Sequence, residues 1–96
     1  MRMHYNADVF KAVRESDWSA SHIAAHGVTL DEVREAILEH PYWAAPGRDG
    51  TVLLYGRTYA GRYLLAVAIP EGEEAFIVTA RDMTSAEKKT FRRKAR

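Results

Sequence analysis

The chain has 96 residues, no cysteine and a net charge of +1, with 47% hydrophobic and 28% charged residues. This length supports a single domain, residues 1–96, with one core and one site, and the balance is that of a folded globule. Disulfide staples and thiolate metal sites are excluded, no stretch nears the roughly 18 apolar residues a membrane span needs, and the first ten residues lack an export signal's apolar core, so the cytoplasm is the expected location.

Along residues 1–17, Asn6 is placed to cap a short helix in which Val9, Phe10 and Val13 share one side, and the polar run 15–17 ends it. Residues 18–40 are expected to be helical. A helix over 19–26 stops at Gly27, the residue that most easily takes the left-handed conformation after a last turn. Thr29-Leu30-Asp31-Glu32 is a capping box that opens a second helix, where Leu30, Val33 and Ile37 recur at helical spacing. Pro41 bars His40 from continuing it. After a loop over 41–50 the hydrophobic period changes to two, and three strands are expected, over 51–59, 62–69 and 73–81. Ala60-Gly61 and Pro70-Glu71-Gly72 are hairpin-sized links, so the strands pair in chain order. Thr84-Ser85-Ala86-Glu87 repeats the capping-box pattern and opens a basic C-terminal helix over 84–96. The fold class is therefore α+β, with N-terminal helices on one face of an antiparallel three-strand meander and a helix after it.

Two-residue turns would set Tyr59 opposite Arg62, Arg57 opposite Leu64 and Arg62 opposite Arg81. On that register one face gathers Val52, Leu54, Tyr63, Leu65, Val67, Ile69, Phe76 and Val78, and packs on the helices. The other gathers Tyr55, Arg57, Tyr59, Arg62 and Arg81 around a floor of Ala66, Ala68, Ala75 and Thr79. Two arginines paired across strands repel, which points to an anion between them. Guanidinium groups match phosphate oxygens bidentately, and neighbouring tyrosines can stack on a base, so an RNA backbone fits such a trough. Internal carboxylate partners for the arginines are the competing explanation, and a bulge would move an arginine to the opposite face.

Residues 84–96 hold six basic side chains, Lys88, Lys89, Arg92 and Arg93 among them, against the single acid Glu87, a local charge of +5. Such a segment suits a polyanion or an acidic partner. His22 and His26 lie one helical turn apart, but Ile23 stands where the HExxH pattern needs glutamate and no third ligand is evident, so no metal or other cofactor is expected. His26 keeps interest as a side chain that titrates near neutral pH.

Three blocks in order resemble the BrnT-like toxins: residues 22–33 (HIAAHGVTLDEV), Tyr55-Gly56-Arg57-Thr58 with Gly61-Arg62-Tyr63-Leu64-Leu65, and Val78-Thr79-Ala80-Arg81-Asp82-Met83-Thr84 with Glu87-Lys88-Lys89. The resemblance runs from about Trp18 to Arg93; Ala25 stands where the family usually has lysine or arginine. It implies a RelE-like fold, a ribonuclease that arrests translation, and a cognate antitoxin protein as partner beside the RNA substrate. Arg57, Arg62 and Arg81 match its basic strand positions, and Lys88-Lys89 its basic C-terminal helix.

The expected chemistry is metal-independent endoribonuclease cleavage, with the RNA 2′-hydroxyl attacking the adjacent phosphate. Arg57, Arg62 and Arg81 would stabilise charge developing on phosphorus. Arginine moves protons poorly, so acid–base work falls to Tyr59, Tyr55 or His26. Tyr55, Lys88, Lys89, Arg92 and Arg93 would bind RNA. A non-catalytic module that holds nucleic acid or an acidic protein, and a structural protein with its arginines paired internally, are the alternatives.

Overall fold

A computed structural model describes residues 10–94. In chain order its elements are β1 (Ala12–Arg14), α1 (Asp17–Ala24), α2 (Leu30–Leu38), β2 (Trp43–Pro46), β3 (Val52–Arg57), β4 (Tyr63–Glu71), β5 (Glu74–Asp82) and α3 (Ser85–Lys94). Each helix starts at a reciprocal cap. The Ser19 amide donates to the Ser16 hydroxyl and the Ser16 amide to the Ser19 hydroxyl, and Thr29 with Glu32 and Thr84 with Glu87 repeat the arrangement. Such a cap contributes about 1 kcal/mol. Gly27, with φ of 71°, turns the chain after α1, and α2 stops short of Pro41.

The sheet has five strands in the order β1-β5-β4-β3-β2. The expected meander is its centre, β3 to β5, antiparallel and in chain order. Two strands were not expected. Residues 43–46, read from the sequence as loop, pair antiparallel with β3, and residues 12–14 pair parallel with β5. The helix expected through Phe10 and Val13 is thus replaced by a strand where the chain is described, and its earlier part lies outside the described residues. Phe10 and Val13 bury their side chains against the core, but the strand's partner is some sixty residues away, where local periodicity carries no sign of it.

Two irregularities set which side chains share a face. The β3–β4 link occupies residues 58–62, closed by the Thr58 amide donating to the Arg62 carbonyl oxygen and the Arg62 amide donating to the Thr58 hydroxyl, so Arg57 opposes Tyr63 and not Leu64. That one-residue change reverses β4 relative to β3. The β4–β5 turn is Gly72-Glu73, and a bulge follows, Val67 facing Thr79 while Ala68 faces Ile77, which leaves Val78 as the extra residue. Beyond it Leu65 opposes Arg81 and Leu64 opposes Asp82. The expected pairing of Arg62 with Arg81 does not form.

The face beneath α1 and α2 therefore carries Val52, Leu54, Leu64, Ala66, Ala68, Ala75, Ile77 and Ala80, packed with Ile23, Val28, Val33 and Ile37. The alanines expected to floor an open trough lie under the helices instead. Their small side chains let the helices approach closely, and Ala36 of α2 comes nearest at Gly56. The opposite face carries Tyr55 and Leu65, covered by Met83 and by Phe91 of α3, with Trp43, Leu53 and Tyr63 at the margin. Among the described residues no helix is long and apolar enough to cross a membrane.

Candidate functional site

The three arginines expected to act together are separated. Arg62 leaves the 58–62 link toward the helices, where Nε and Nη2 grip both oxygens of Asp82 at 2.7 and 3.2 Å and Nη1 donates to Glu32 and to the Gly27 carbonyl oxygen at 2.7 Å. These bonds raise the Arg62 pKa above its ordinary range, the hydrogen bond to Asp82 first, and hold Asp82 below the usual carboxylate range. Arg81 points to the α3 side, where its guanidinium meets both oxygens of Glu87 at 2.8 and 3.0 Å. That contact is the largest cause of a Glu87 pKa lowered to about 2. Both arginines are satisfied by carboxylates, the arrangement that competing reasoning from sequence allowed.

A consequence follows in acid. Because Glu87 is held below its ordinary value of 4.5, the pair stabilises the fold fully above that pH and less as pH falls toward about 2. Glu87→Gln should therefore flatten the decline in melting temperature over that window, measured by circular dichroism.

Arg57 is different. It is exposed and makes no ion pair among the described residues, and its Cζ stands 5.4 Å from the centre of the Tyr63 ring. α3 brings two more cations to the same ring: Lys88 Nζ at 5.6 Å and Arg92 Cζ at 5.1 Å, with Arg92 Nε donating to the Tyr63 hydroxyl at 3.4 Å. Neither makes a salt bridge among the described residues, so three positive charges converge with no carboxylate paired to them. Tyr63 responds with a lowered pKa, through the Arg92 hydrogen bond first and then the fields of Arg57, Arg92 and Lys88. The ring rests edge-on against Phe91, 5.9 Å between centres, which fixes it to the core. Beside it Trp43 stacks on Tyr55 at 4.8 Å, with Lys94 Nζ 6.0 Å from the Trp43 ring.

The other expected site residues lie apart from Tyr63. Tyr59 is exposed and donates its hydroxyl to Glu39 at 2.7 Å, which raises its pKa. Tyr55 is buried, burial being the main reason its pKa rises. His26 is exposed at the end of α1, 5.8 Å from His22 between ring centres, and its carbonyl oxygen faces Arg62. No third ligand joins those histidines among the described residues. Lys89 and Arg93 are exposed on α3. Tyr63 was missed because the expected register turned it toward the helices; the run of cations at helical spacing, Lys88 and Arg92, was its one visible signal.

A crystal structure of the Brucella abortus ribonuclease toxin BrnT has the same fold, with a TM-score of 0.62 and 13% sequence identity over 77% of this chain and 97% of that one. No protein-family model matches the sequence, and no curated protein matches it. The likeness places the chain in the BrnT-like toxin fold that its sequence blocks resemble.

Proposed function

We propose that this chain is the ribonuclease toxin of a toxin–antitoxin pair, cleaving RNA without a metal ion and so arresting translation, with a cognate antitoxin protein as its inhibitor. The convergence of Arg57, Lys88 and Arg92 on Tyr63, three cations lacking carboxylate partners, is the observation that carries it. A site built of like charges around a half-exposed aromatic ring suits an anion with planar bases, which is what single-stranded RNA offers. On this reading Arg57 binds the phosphoryl oxygens as charge grows on them, Lys88 and Arg92 hold adjoining phosphates, and Tyr63 stacks on a base. Lys89 and Arg93 extend the basic track along α3. Arg62 and Arg81 keep the sheet and helices in place, leaving Arg57 as the catalytic member of the three. BrnT is itself described as a ribonuclease toxin, which agrees with this reading.

The test is incubation of the purified chain with purified RNA in EDTA. Attack by the 2′-hydroxyl predicts fragments ending in 2′,3′-cyclic phosphate and 5′-hydroxyl groups; RNA that binds and stays intact would instead favour the non-catalytic binding module. Binding should also reveal the phosphate contacts. Each phosphate neutralised on a single strand adds about 0.7 to the slope of log affinity against log salt, so Lys88→Ala combined with Arg92→Ala should reduce that slope by about 1.4.

A further inference from the structure

Around Tyr63 the cations can hold a phosphodiester, but none moves a proton readily near neutral pH, since guanidinium and ammonium groups titrate well above it. Cleavage by the 2′-hydroxyl has a proton to remove. Beside Arg57 lies an open cleft of about 210 Å³ lined by His40, Pro41, Arg57 and Phe91. A water molecule occupies about 30 Å³ in the liquid, so the cleft admits a group the size of a phosphodiester. Pro41 holds His40 out of helical conformation just after α2, which sets the imidazole against this cleft. Its Nε2 is buried and has no hydrogen-bond partner, one of two side-chain atoms so placed among the described residues. Buried polar atoms nearly always find partners, and a catalytic role is one of the explanations for one that finds none within its own chain.

We propose that His40 is the general base of this site, reached by RNA through the cleft it shares with Arg57. The inference rests on the ribonuclease reading above. Imidazole is the side chain whose ordinary titration range spans neutral pH. In the reaction, Nε2 takes the 2′-hydroxyl proton as the 2′-oxygen bonds to phosphorus; the bond from phosphorus to the 5′-oxygen breaks, and that oxygen takes a proton from water. Arg57 on the same cleft binds the phosphoryl oxygens, so base and electrostatic partner flank one phosphate. The groups that face His40 are few. From β3 comes Arg57; from the 58–62 link comes Tyr59, whose ring meets the imidazole edge-on at 4.4 Å; and behind Tyr59 stand Glu35 of α2 and Glu39 at its C-cap, which accept from the Tyr59 amide and hydroxyl. Tyr59 is 66% exposed, so it covers the imidazole from outside as a side chain that can turn away when RNA enters.

The experiment is the pH dependence of RNA cleavage by the full chain and by His40→Gln in EDTA, between pH 5 and 9. Wild type should show kcat/KM rising with pH to a plateau. His40→Gln should lose about 10²–10⁴-fold in kcat, lose that rise, and keep its KM and melting temperature. A His40→Gln chain that keeps both the rate and the pH profile overturns the proposal and leaves the ribonuclease reading standing. Wild type that cuts no RNA overturns both. A second measurement does not depend on folding of the variant: a 2′-deoxy dinucleotide, which cannot react, should shift the His40 imidazole resonances of wild type. Resonances that stay still at saturating dinucleotide overturn the cleft as the docking point.

Discussion

Arg57→Ala is expected to reduce RNA cleavage by about 10²–10³-fold while leaving the melting temperature unchanged. The magnitude is that of removing one preorganised donor from a developing oxyanion. The unchanged stability follows from position: Arg57 is exposed at the end of β3, makes no ion pair among the described residues, and stacks over an aromatic ring that Phe91 already holds. Arg62→Ala should behave in the opposite sense. Its guanidinium ties the link after β3 to Asp82, Glu32 and the Gly27 carbonyl, and hydrogen bonds to charged groups contribute about 1.5–3 kcal/mol. With partial exposure of the pair, a loss of roughly 2 kcal/mol is expected, a fall in melting temperature of roughly 8–16 °C for a domain this size. Cleavage measured well below the melting point should survive. Equal loss of activity in both variants at equal stability would return Arg62 to the chemistry.

The largest expected effect on stability comes from Gly56→Ala. A Cβ there would lie 2.5 Å from the Ala36 carbonyl oxygen and 3.0 Å from its carbon, and both are backbone atoms of α2. A helix backbone cannot swing aside as a side chain can, so the helix must lift from the sheet and loosen Val33 and Ile37, both 1% exposed. Overpacking of this kind costs about 3 kcal/mol, which thermal or urea unfolding would record as a drop of roughly 12–24 °C or a proportionate shift in midpoint. Gly72→Ala is the control. Gly72, unlike Gly56, has a positive φ, 62°, and a Cβ there meets nothing, so only the backbone strain of about 1 kcal/mol is expected.

The capping boxes and turn glycines of the sequence were legible, whereas the helical period read through Phe10 and Val13 and the strand register were not. Thr29 with Glu32 and Thr84 with Glu87 mark helix starts because a cap is complete within four residues. Glycine-containing links between alternating segments likewise mark the central hairpins. Strand register depends on quantities that composition does not encode. A five-residue link in place of a two-residue one, and one extra residue at Val78, suffice to move Ala66 and Ala68 from an open trough to beneath the helices, and to send Arg62 and Arg81 to opposite faces. The edge strands were missed for a related reason, since β1 and β2 are only three and four residues long and find partners that sequence proximity does not suggest. Of the site, Arg57, Lys88 and Arg92 were legible as cations near an aromatic sheet. Tyr63 and His40 were not: one was assigned to the wrong face, and the other shows its significance only through a buried nitrogen without a partner.

The cations of α3 follow all five strands in chain order. The sheet supplies Arg57 and Tyr63 and this one helix supplies Lys88 and Arg92, so displacing α3 would take two of the three cations off the ring while the five strands stay paired. Phe91, buried on the same helix against Tyr63, is the side chain that resists that displacement.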